Sequence, residues 1–376
     1  RLCAGRSRPP SIGALISPRS DRCGRSSSTS SRSLLPPPDV GGARLTPRRI
    51  ATSLAGLVLA AGLLLWALRG VHLDEVLRHI RSARPLPLLV AVVLATVTYP
   101  LRLVRWRLLL RHEDGSAIPS MPLWHAVAIG FMANNVLPFR AGEIVRLIVA
   151  TRLTGVRFTA TLSSVAVERI FDGLTVLGMM GFALLASDLP PDIAVGGVPV
   201  SHAAQVAGII VVAALVGAIL VVAFPIAAER LVRRVLPAGS FADRIIRMIE
   251  GIRQGLAALR SPALLAGVVF WSIVLWFVNA YTFYVAFKAF GIPVDLLGAF
   301  LLQGILVLGI SVQLTPGYLG QFEASIVAAL ALYGIPNDLA SSYAIAYHGA
   351  TFLPIVLLGV WSLARTPVAL TELRGP

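Results

Sequence analysis

The chain of 376 residues is 56% hydrophobic and only 14% charged, with a mean hydropathy of +0.79, which excludes a soluble globular fold whose surface needs far more charge. Its formal charge of +15 sits on an arginine-rich N-terminal stretch and on arginines between apolar segments, with no aromatic-basic module beside it, which argues against a nucleic-acid partner. Cys3 and Cys23 are the only cysteines and both lie in the polar N-terminal stretch, so neither a disulfide framework nor a thiolate metal site organises the core.

Residues 1–47 are rich in Arg, Ser, Pro and Gly and begin without Met, which hints at a truncated or misassigned start. Such a composition buries too little apolar surface to offset its ordering entropy, so a disordered tail is expected. Ile50–Leu68 follows, 19 residues without a charge, enough at a rise of about 1.5 Å per residue to cross a hydrocarbon core of roughly 30 Å. Arg44, Arg48 and Arg49 precede it and place the N-terminus in the cytoplasm. From Val71 to Arg84, apolar Leu73, Val76, Leu77 and Ile80 recur at helical spacing among Arg78, Arg81 and Arg84, the pattern of an interfacial amphipathic helix.

Leu86–Val104 is a second span, running into Arg102, Arg105, Arg107 and Arg111 around Trp106, which reads as a cytoplasmic membrane interface. Met121–Ala133 is apolar but short, and is interrupted by Asn134-Asn135-Val136-Leu137-Pro138-Phe139-Arg140-Ala141-Gly142-Glu143 before Ile144–Ala150 returns with Arg146. Hydrocarbon offers no water to such polar backbone, so it must be buried in protein or line a wet cavity, and a re-entrant pair is predicted. Thr159–Ala186 is a full span that carries Glu168, Arg169 and Asp172 within two turns. Each charge costs about 2.5–3.5 kcal/mol at mid-bilayer, so these must face protein or water, either as a structural ion network with Arg140 or Arg146 or as a substrate or proton pathway.

The loop 187–203 has acidic residues and no Lys or Arg and is expected outside; Ala204–Ala227 returns to a loop carrying Arg230, Arg233, Arg234, Arg244, Arg247, Arg253 and Arg260. Apolar residues at helical spacing from Phe241 to Leu259 predict a second interfacial helix there. Ala263–Phe287 crosses again, its Trp271 and Trp276 read as packing and interface anchors. Leu296–Val312 is broken by Gln313-Leu314-Thr315-Pro316-Gly317-Tyr318-Leu319-Gly320-Gln321-Phe322-Glu323, Ser325–Tyr333 forms a short second arm, and Leu339–Leu363 ends the set. His348 in that last helix reads first as a packed or hydrogen-bonded residue.

The two interruptions resemble each other: each follows an apolar helix, precedes another, and places Pro, Gly and Glu at nearly equal spacing, Pro138, Gly142 and Glu143 in one, Pro316, Gly320 and Glu323 in the other. Matched broken segments of this kind mark transporter sites between internal repeats. The expected architecture is an all-α polytopic bundle of about six full spans plus two re-entrant pairs related as an inverted repeat. Its divisions are a tail over residues 1–47, a membrane domain over 48–366 and a short cytoplasmic tail over 367–376.

Arg105-Trp106-Arg107-Leu108-Leu109, Asn134-Asn135-x-x-Pro138-x-Arg140-x-Gly142-Glu143-x-x-Arg146, Glu168-Arg169-x-x-Asp172 and Pro316-Gly317-x-x-Gly320-x-x-Glu323 together resemble the transmembrane, flippase-like domain of the lysylphosphatidylglycerol synthase family from about Ile50 to Leu363. The resemblance implies a membrane domain that moves or presents a lipid headgroup between leaflets. The sequence ends at Pro376 without a soluble transferase domain, so a stand-alone member without synthase activity is expected. Tyr318 replaces the family's second glycine after Pro316-Gly317.

The candidate site residues are therefore Asn134, Asn135, Arg140, Glu143, Arg146, Glu168, Arg169, Asp172, Pro316, Gly317, Gly320 and Glu323. Arg140 and Arg146 would bind an anionic phosphate; Glu168 and Asp172 would balance them or meet a cationic or hydroxylated headgroup; Glu143 and Glu323 would gate or carry protons. No nucleotide loop, metal cluster or Ser-His-Asp set is visible, so no cofactor is expected and a membrane transferase is the alternative reading, beside a scaffold for a separate soluble transferase. The expected partner is an anionic-headgroup lipid, and the expected location is the plasma membrane with both termini cytoplasmic.

Overall fold

The computed structural model describes residues 73–366 apart from 113, 138, 187–193, 196–197 and most of 236–260. The expected tails, the span Ile50–Leu68 and most of the interfacial helix from Phe241 to Leu259 lie outside the described residues.

The chain enters through α1 (Leu73–Ser82), with Asp74 and Glu75 in its first turn and His79 and Arg81 in its last, the arrangement that complements the helix dipole. Val76 is buried and the Arg84 amide donates to the Ala289 carbonyl at 2.8 Å, so this amphipathic helix is docked on the bundle. Pro85 then opens α2 (Pro85–Leu109), where its missing N–H costs nothing. Next come α3 (Ser120–Val136) and α4 (Ala141–Thr154), the latter closed by Gly155 in the left-handed region. α5 (Phe158–Ala186) and α6 (Val200–Ala223) are joined across a two-residue hairpin of β1 (Ala194–Val195) and β2 (Val198–Pro199). After α7 (Pro225–Val235), α8 (Pro262–Phe290) starts at Ser261, whose hydroxyl accepts from the Leu264 amide at 3.2 Å. α9 (Leu296–Gly309), a single 3₁₀ turn at Pro316–Tyr318, α10 (Gln321–Ala331) and α11 (Asn337–Ala364) complete the set.

Helices α2, α5, α8 and α11 are long and apolar enough to cross a membrane, and α6 adds 24 residues without a charge. The protein is a polytopic helical membrane bundle. The arms of both interruptions are shorter: 17 and 14 residues for α3 and α4, 14 and 11 for α9 and α10. At about 1.5 Å per residue none of them matches a hydrocarbon thickness of roughly 30 Å.

Each pair folds back on itself. In the first, Gly142 at the start of α4 lies so close to α3 that a Cβ there would stand 2.6 Å from Asn134 Oδ1 and closer still to the Gly130 carbonyl, while a Cβ on Gly130 would meet that of Arg146 at 2.6 Å. In the second, a Cβ on Gly309 would collide with Ser325, and one on Gly298 would come within 3.1 Å of the Tyr333 ring. Asn134, Asn135 and Val136 lie in the last turn of α3, so the helix runs three residues further than the polarity of the sequence suggested.

Backbone approach at Gly142 makes a specific demand. Gly142→Ala is expected to lower stability by about 1–3 kcal/mol or more, as overpacking does, whereas Gly173→Ala, at a position with open space, is expected to be neutral or mildly stabilising. Unfolding in detergent micelles reads both; equal effects would remove the close hairpin contact.

Candidate functional site

Three helices bring charge to one place inside the bundle, and a fourth brings neutral hydrogen-bonding partners. α5 supplies Glu168, Arg169 and Asp172, α2 supplies Arg102 and Arg105, α4 supplies Arg146, and α8 supplies Ser272 and Trp276. Glu168 has no exposed surface. Its Oε1 lies 3.2 Å from Arg146 Nη1, 3.1 Å from Arg105 Nη2 and 3.1 Å from Arg169 Nη2, and its Oε2 lies 3.0 Å from Arg146 Nη2. The Arg146 pair is thus bidentate, the strongest geometry for a guanidinium on a carboxylate.

One turn on, Asp172 Oδ1 accepts from Arg105 Nη1 at 2.6 Å and from the Trp276 indole at 2.7 Å. Arg105 Nη1 also reaches the Ser272 hydroxyl at 3.0 Å, and that hydroxyl donates back to the Val268 carbonyl. Arg146 lies over the Trp106 ring, its guanidinium carbon 3.8 Å from the ring centroid, and the Trp106 indole donates to Ser164 Oγ at 2.9 Å. Arg105 and Trp106 are wholly buried, so the pair read from sequence as an interfacial anchor is an internal one; the carboxylates of α5 draw the arginine inward. Trp276 likewise is an internal hydrogen-bond donor, where the sequence suggested packing and anchoring.

Toward one edge the cluster opens. Arg169, Glu143 and Arg140 keep 35%, 30% and 32% of their side-chain surface, and their contacts loosen: Arg140 Nη1 to Glu143 Oε1 is 3.4 Å and Arg169 Nη1 to the same oxygen is 3.9 Å. The Tyr318 phenol, from the second interruption, stands beside Arg140 and within electrostatic reach of Glu143 and Arg169.

The two interruptions interlock through one amide. Gln313 Nε2 donates to the carbonyls of Asn134 at 2.8 Å and Leu137 at 2.9 Å, and its Oε1 accepts from the Arg140 amide at 2.8 Å. Arg140 Nη2 returns to the Ile310 carbonyl at 3.1 Å, and Gly317 lies against the Asn135 carbonyl. Backbone conformation repeats between them: Phe139 and Arg140 have φ of 58° and 52°, and Gly317 and Tyr318 have φ of 62° and 59°. Each pair of left-handed residues precedes a helix whose third residue is glutamate, Glu143 in α4 and Glu323 in α10.

Of the residues singled out from the sequence, Arg140, Glu143, Arg146, Glu168, Arg169 and Asp172 form one connected set. Glu323 is elsewhere, its Oε1 2.6 Å from His348 Nδ1 and its Oε2 accepting from the Gly320 amide, with the His348 ring stacked on Phe322. Asn134 leaves its side-chain oxygen buried without a hydrogen bond, and Asn135 and Gly317 act through backbone contact. Sequence reading missed Arg102, Arg105, Trp276, Ser272 and Gln313 as members; for Arg102 and Arg105 a signal existed, arginines on the same buried face of a spanning helix. Among the described residues, no group of three or more His, Cys, Asp or Glu converges as metal ligands do.

Residues 53–359 match the family model described as the lysylphosphatidylglycerol synthase TM region. The chain belongs to that family. It is also similar to the glycosyltransferase AglD of Haloferax volcanii, with 30% identity over 359 residues, 87% of this chain but 56% of the relative, so it spans little more than half of that protein. A UPF0104 membrane protein of Methanothermobacter thermautotrophicus is 24% identical over 325 residues, 81% of this chain and 89% of the relative. This lysylphosphatidylglycerol synthase-like chain is accordingly a multi-pass membrane protein with its arginine–carboxylate cluster inside the matched region.

Removing one member of such a cluster strands its partners. Glu168→Gln and Arg105→Met are each expected to destabilise the fold by about 3–5 kcal/mol, and the joint change Arg105→Met with Asp172→Leu is expected to cost less than the sum of its parts. Denaturant titration of the purified variants in micelles would show this; additive costs would mean the charges do not act as a unit.

Proposed function

We propose that the protein is a lipid transporter of the flippase-like kind, moving a lipid with an anionic headgroup between the leaflets of the plasma membrane, with both termini cytoplasmic. The observation that carries this reading is an imbalance: five arginines, Arg102, Arg105, Arg140, Arg146 and Arg169, share the cluster with three carboxylates, Glu143, Glu168 and Asp172, and the loosely paired edge is the open one. Surplus positive charge inside a membrane protein calls for a negative ligand, because an unneutralised buried ion is costly.

The inverted repeat proposed from the sequence is supported by the matched left-handed residues and helix-start glutamates of the two interruptions. Alternating access would be rocking of one half against the other about the Gln313 contacts, with the headgroup held near the midplane. Arg146, saturated by Glu168 and Trp106, would hold the site's shape, and Arg140 and Arg169 would meet the headgroup.

A second reading is favoured by the name of the Haloferax relative: the chain handles a lipid that a glycosyltransferase modifies, either as the membrane part of such an enzyme or as a scaffold for a separate soluble one. A modified lipid accumulating in membranes of overproducing cells would select it.

Transport is tested by reconstitution into liposomes with a leaflet-resolved lipid assay. Arg140→Ala and Glu143→Gln are expected to slow movement at least about tenfold, the loss of one charge-assisted contact. Native rates in both variants would sink the site.

A further inference from the structure

Arg102 stands apart from every other arginine of the cluster. It is 8% exposed, yet it makes no hydrogen bond or salt bridge to another described residue, and its Nε is buried without an acceptor. Two aromatic faces hold it, Phe131 at 5.1 Å and Trp276 at 5.5 Å from the guanidinium carbon. Such faces position a cation without neutralising it or using its in-plane donors. Asp172 and Glu168 lie within electrostatic reach, but neither is bonded to it: both Glu168 oxygens and Asp172 Oδ1 are taken by Arg105, Arg146, Arg169 and the Trp276 indole, and Asp172 Oδ2 stands 3.5 Å from Arg169 Nη2.

The charge count is as specific as the geometry. With the three carboxylates ionised, the five arginines leave an excess of two positive charges. Arg105 and Arg146 are spent on Glu168 and Asp172, and Arg140, at the mouth, holds Glu143 and the Ile310 carbonyl, which leaves Arg102 and the loosely paired Nη1 of Arg169 as the inner donors to offer, with the Tyr318 hydroxyl at the open side. A phosphodiester would neutralise one of the two excess charges; a phosphate monoester or a diphosphate neutralises both.

We infer that Arg102 and Arg169 bind a phosphate group bearing two negative charges, a monoester or diphosphate at the head of a lipid, in preference to a phosphodiester. This rests on the transporter reading and narrows its substrate class. Glu143, only 3.9 Å from Arg169, is the carboxylate the incoming phosphate displaces from it, while its existing contact with Arg140 at 3.4 Å keeps it at the mouth.

The test is binding to the purified full chain in phosphatidylcholine nanodiscs, read by intrinsic tryptophan fluorescence because Trp276 lies beneath Arg102. Discs carry equal fractions of phosphatidic acid, a monoester, or phosphatidylglycerol, a diester, at about pH 8, above the second ionisation of a phosphate monoester near 6. Inorganic phosphate and pyrophosphate are titrated in solution. Phosphatidic acid is expected to bind at least roughly tenfold more tightly than phosphatidylglycerol, as an added charged contact gives. Arg102→Gln is expected to reduce that ratio to about twofold or less, Arg102→Lys to an intermediate value, and Arg78→Gln, on the exposed face of α1, to leave it unchanged.

A ratio below about twofold in the native protein, or one that survives Arg102→Gln, overturns the inference while leaving lipid transport standing. Inorganic phosphate binding as tightly as phosphatidic acid assigns the site to a soluble anion and overturns the lipid assignment. Failure of all four anions to bind overturns the transporter reading as well. Because Arg102→Gln removes an unneutralised cation, its melting temperature is expected to match or exceed that of the native protein, which separates lost binding from lost folding.

Discussion

Everything in the interior is arranged around the Glu168 carboxylate. A single buried anion receives three guanidiniums from three helices, and it does so with both oxygens occupied. Away from water, attraction between such groups is strong, and so is the cost of leaving any of them alone, which is why α2, α4 and α5 cannot separate without stranding charge. The presence of three charges within two turns of a long apolar helix, expensive against lipid, becomes tolerable because each of them meets protein. Arg146 reaches its place only because Gly130 and Gly142 let α3 and α4 close to backbone contact. Small residues and large charges are thus parts of one arrangement.

A second constraint comes from the broken helices. Chain that stops being helical inside a membrane protein must find partners for its amides and carbonyls. Here Gln313 serves the first interruption from the second, and Gln321 serves its own, accepting from the Leu314 amide at 2.9 Å and donating to the Val312 carbonyl at 2.9 Å. Non-glycine residues in left-handed conformation cost about 1–3 kcal/mol each and persist where surrounding contacts over-determine them. Phe139, Arg140 and Tyr318 are held this way, Arg140 by its amide on Gln313 and its guanidinium on Ile310. Tyr318 occupies with a side chain a conformation that glycine adopts freely, and in exchange places a phenol at the open edge of the charge cluster.

These two systems meet at Arg140, which belongs to the interruption by its backbone and to the cluster by its side chain. A change in the charge held at the open edge therefore acts directly on the contact between the two broken pairs. The Glu323–His348 pair sits apart from it, fastened to the start of α10 through the Gly320 amide. The two helix-start glutamates, alike in sequence, do different work: one faces arginines, the other a histidine and its own helix cap.

The amino-acid sequence determined by itself that this is a helical membrane protein, because apolar runs of spanning length between arginine-bearing loops leave no other solution. It also marked the two interruptions, since Pro, Gly and polar residues in an apolar context are local signals, and it marked Glu168 and Asp172 as needing partners, since a charge in a span cannot face lipid. Which partners they take was decided only by tertiary structure. Arg105 and Trp106 look like interface residues until α5 and α8 pack against them, and Gln313 gains its role by reaching residues 176 and 179 positions away in the chain, Leu137 and Asn134. Long-range pairing leaves no periodic trace in sequence. For the same reason the solitary position of Arg102, caught between Phe131 and Trp276 with no anion of its own, could be seen only once three helices had been brought together.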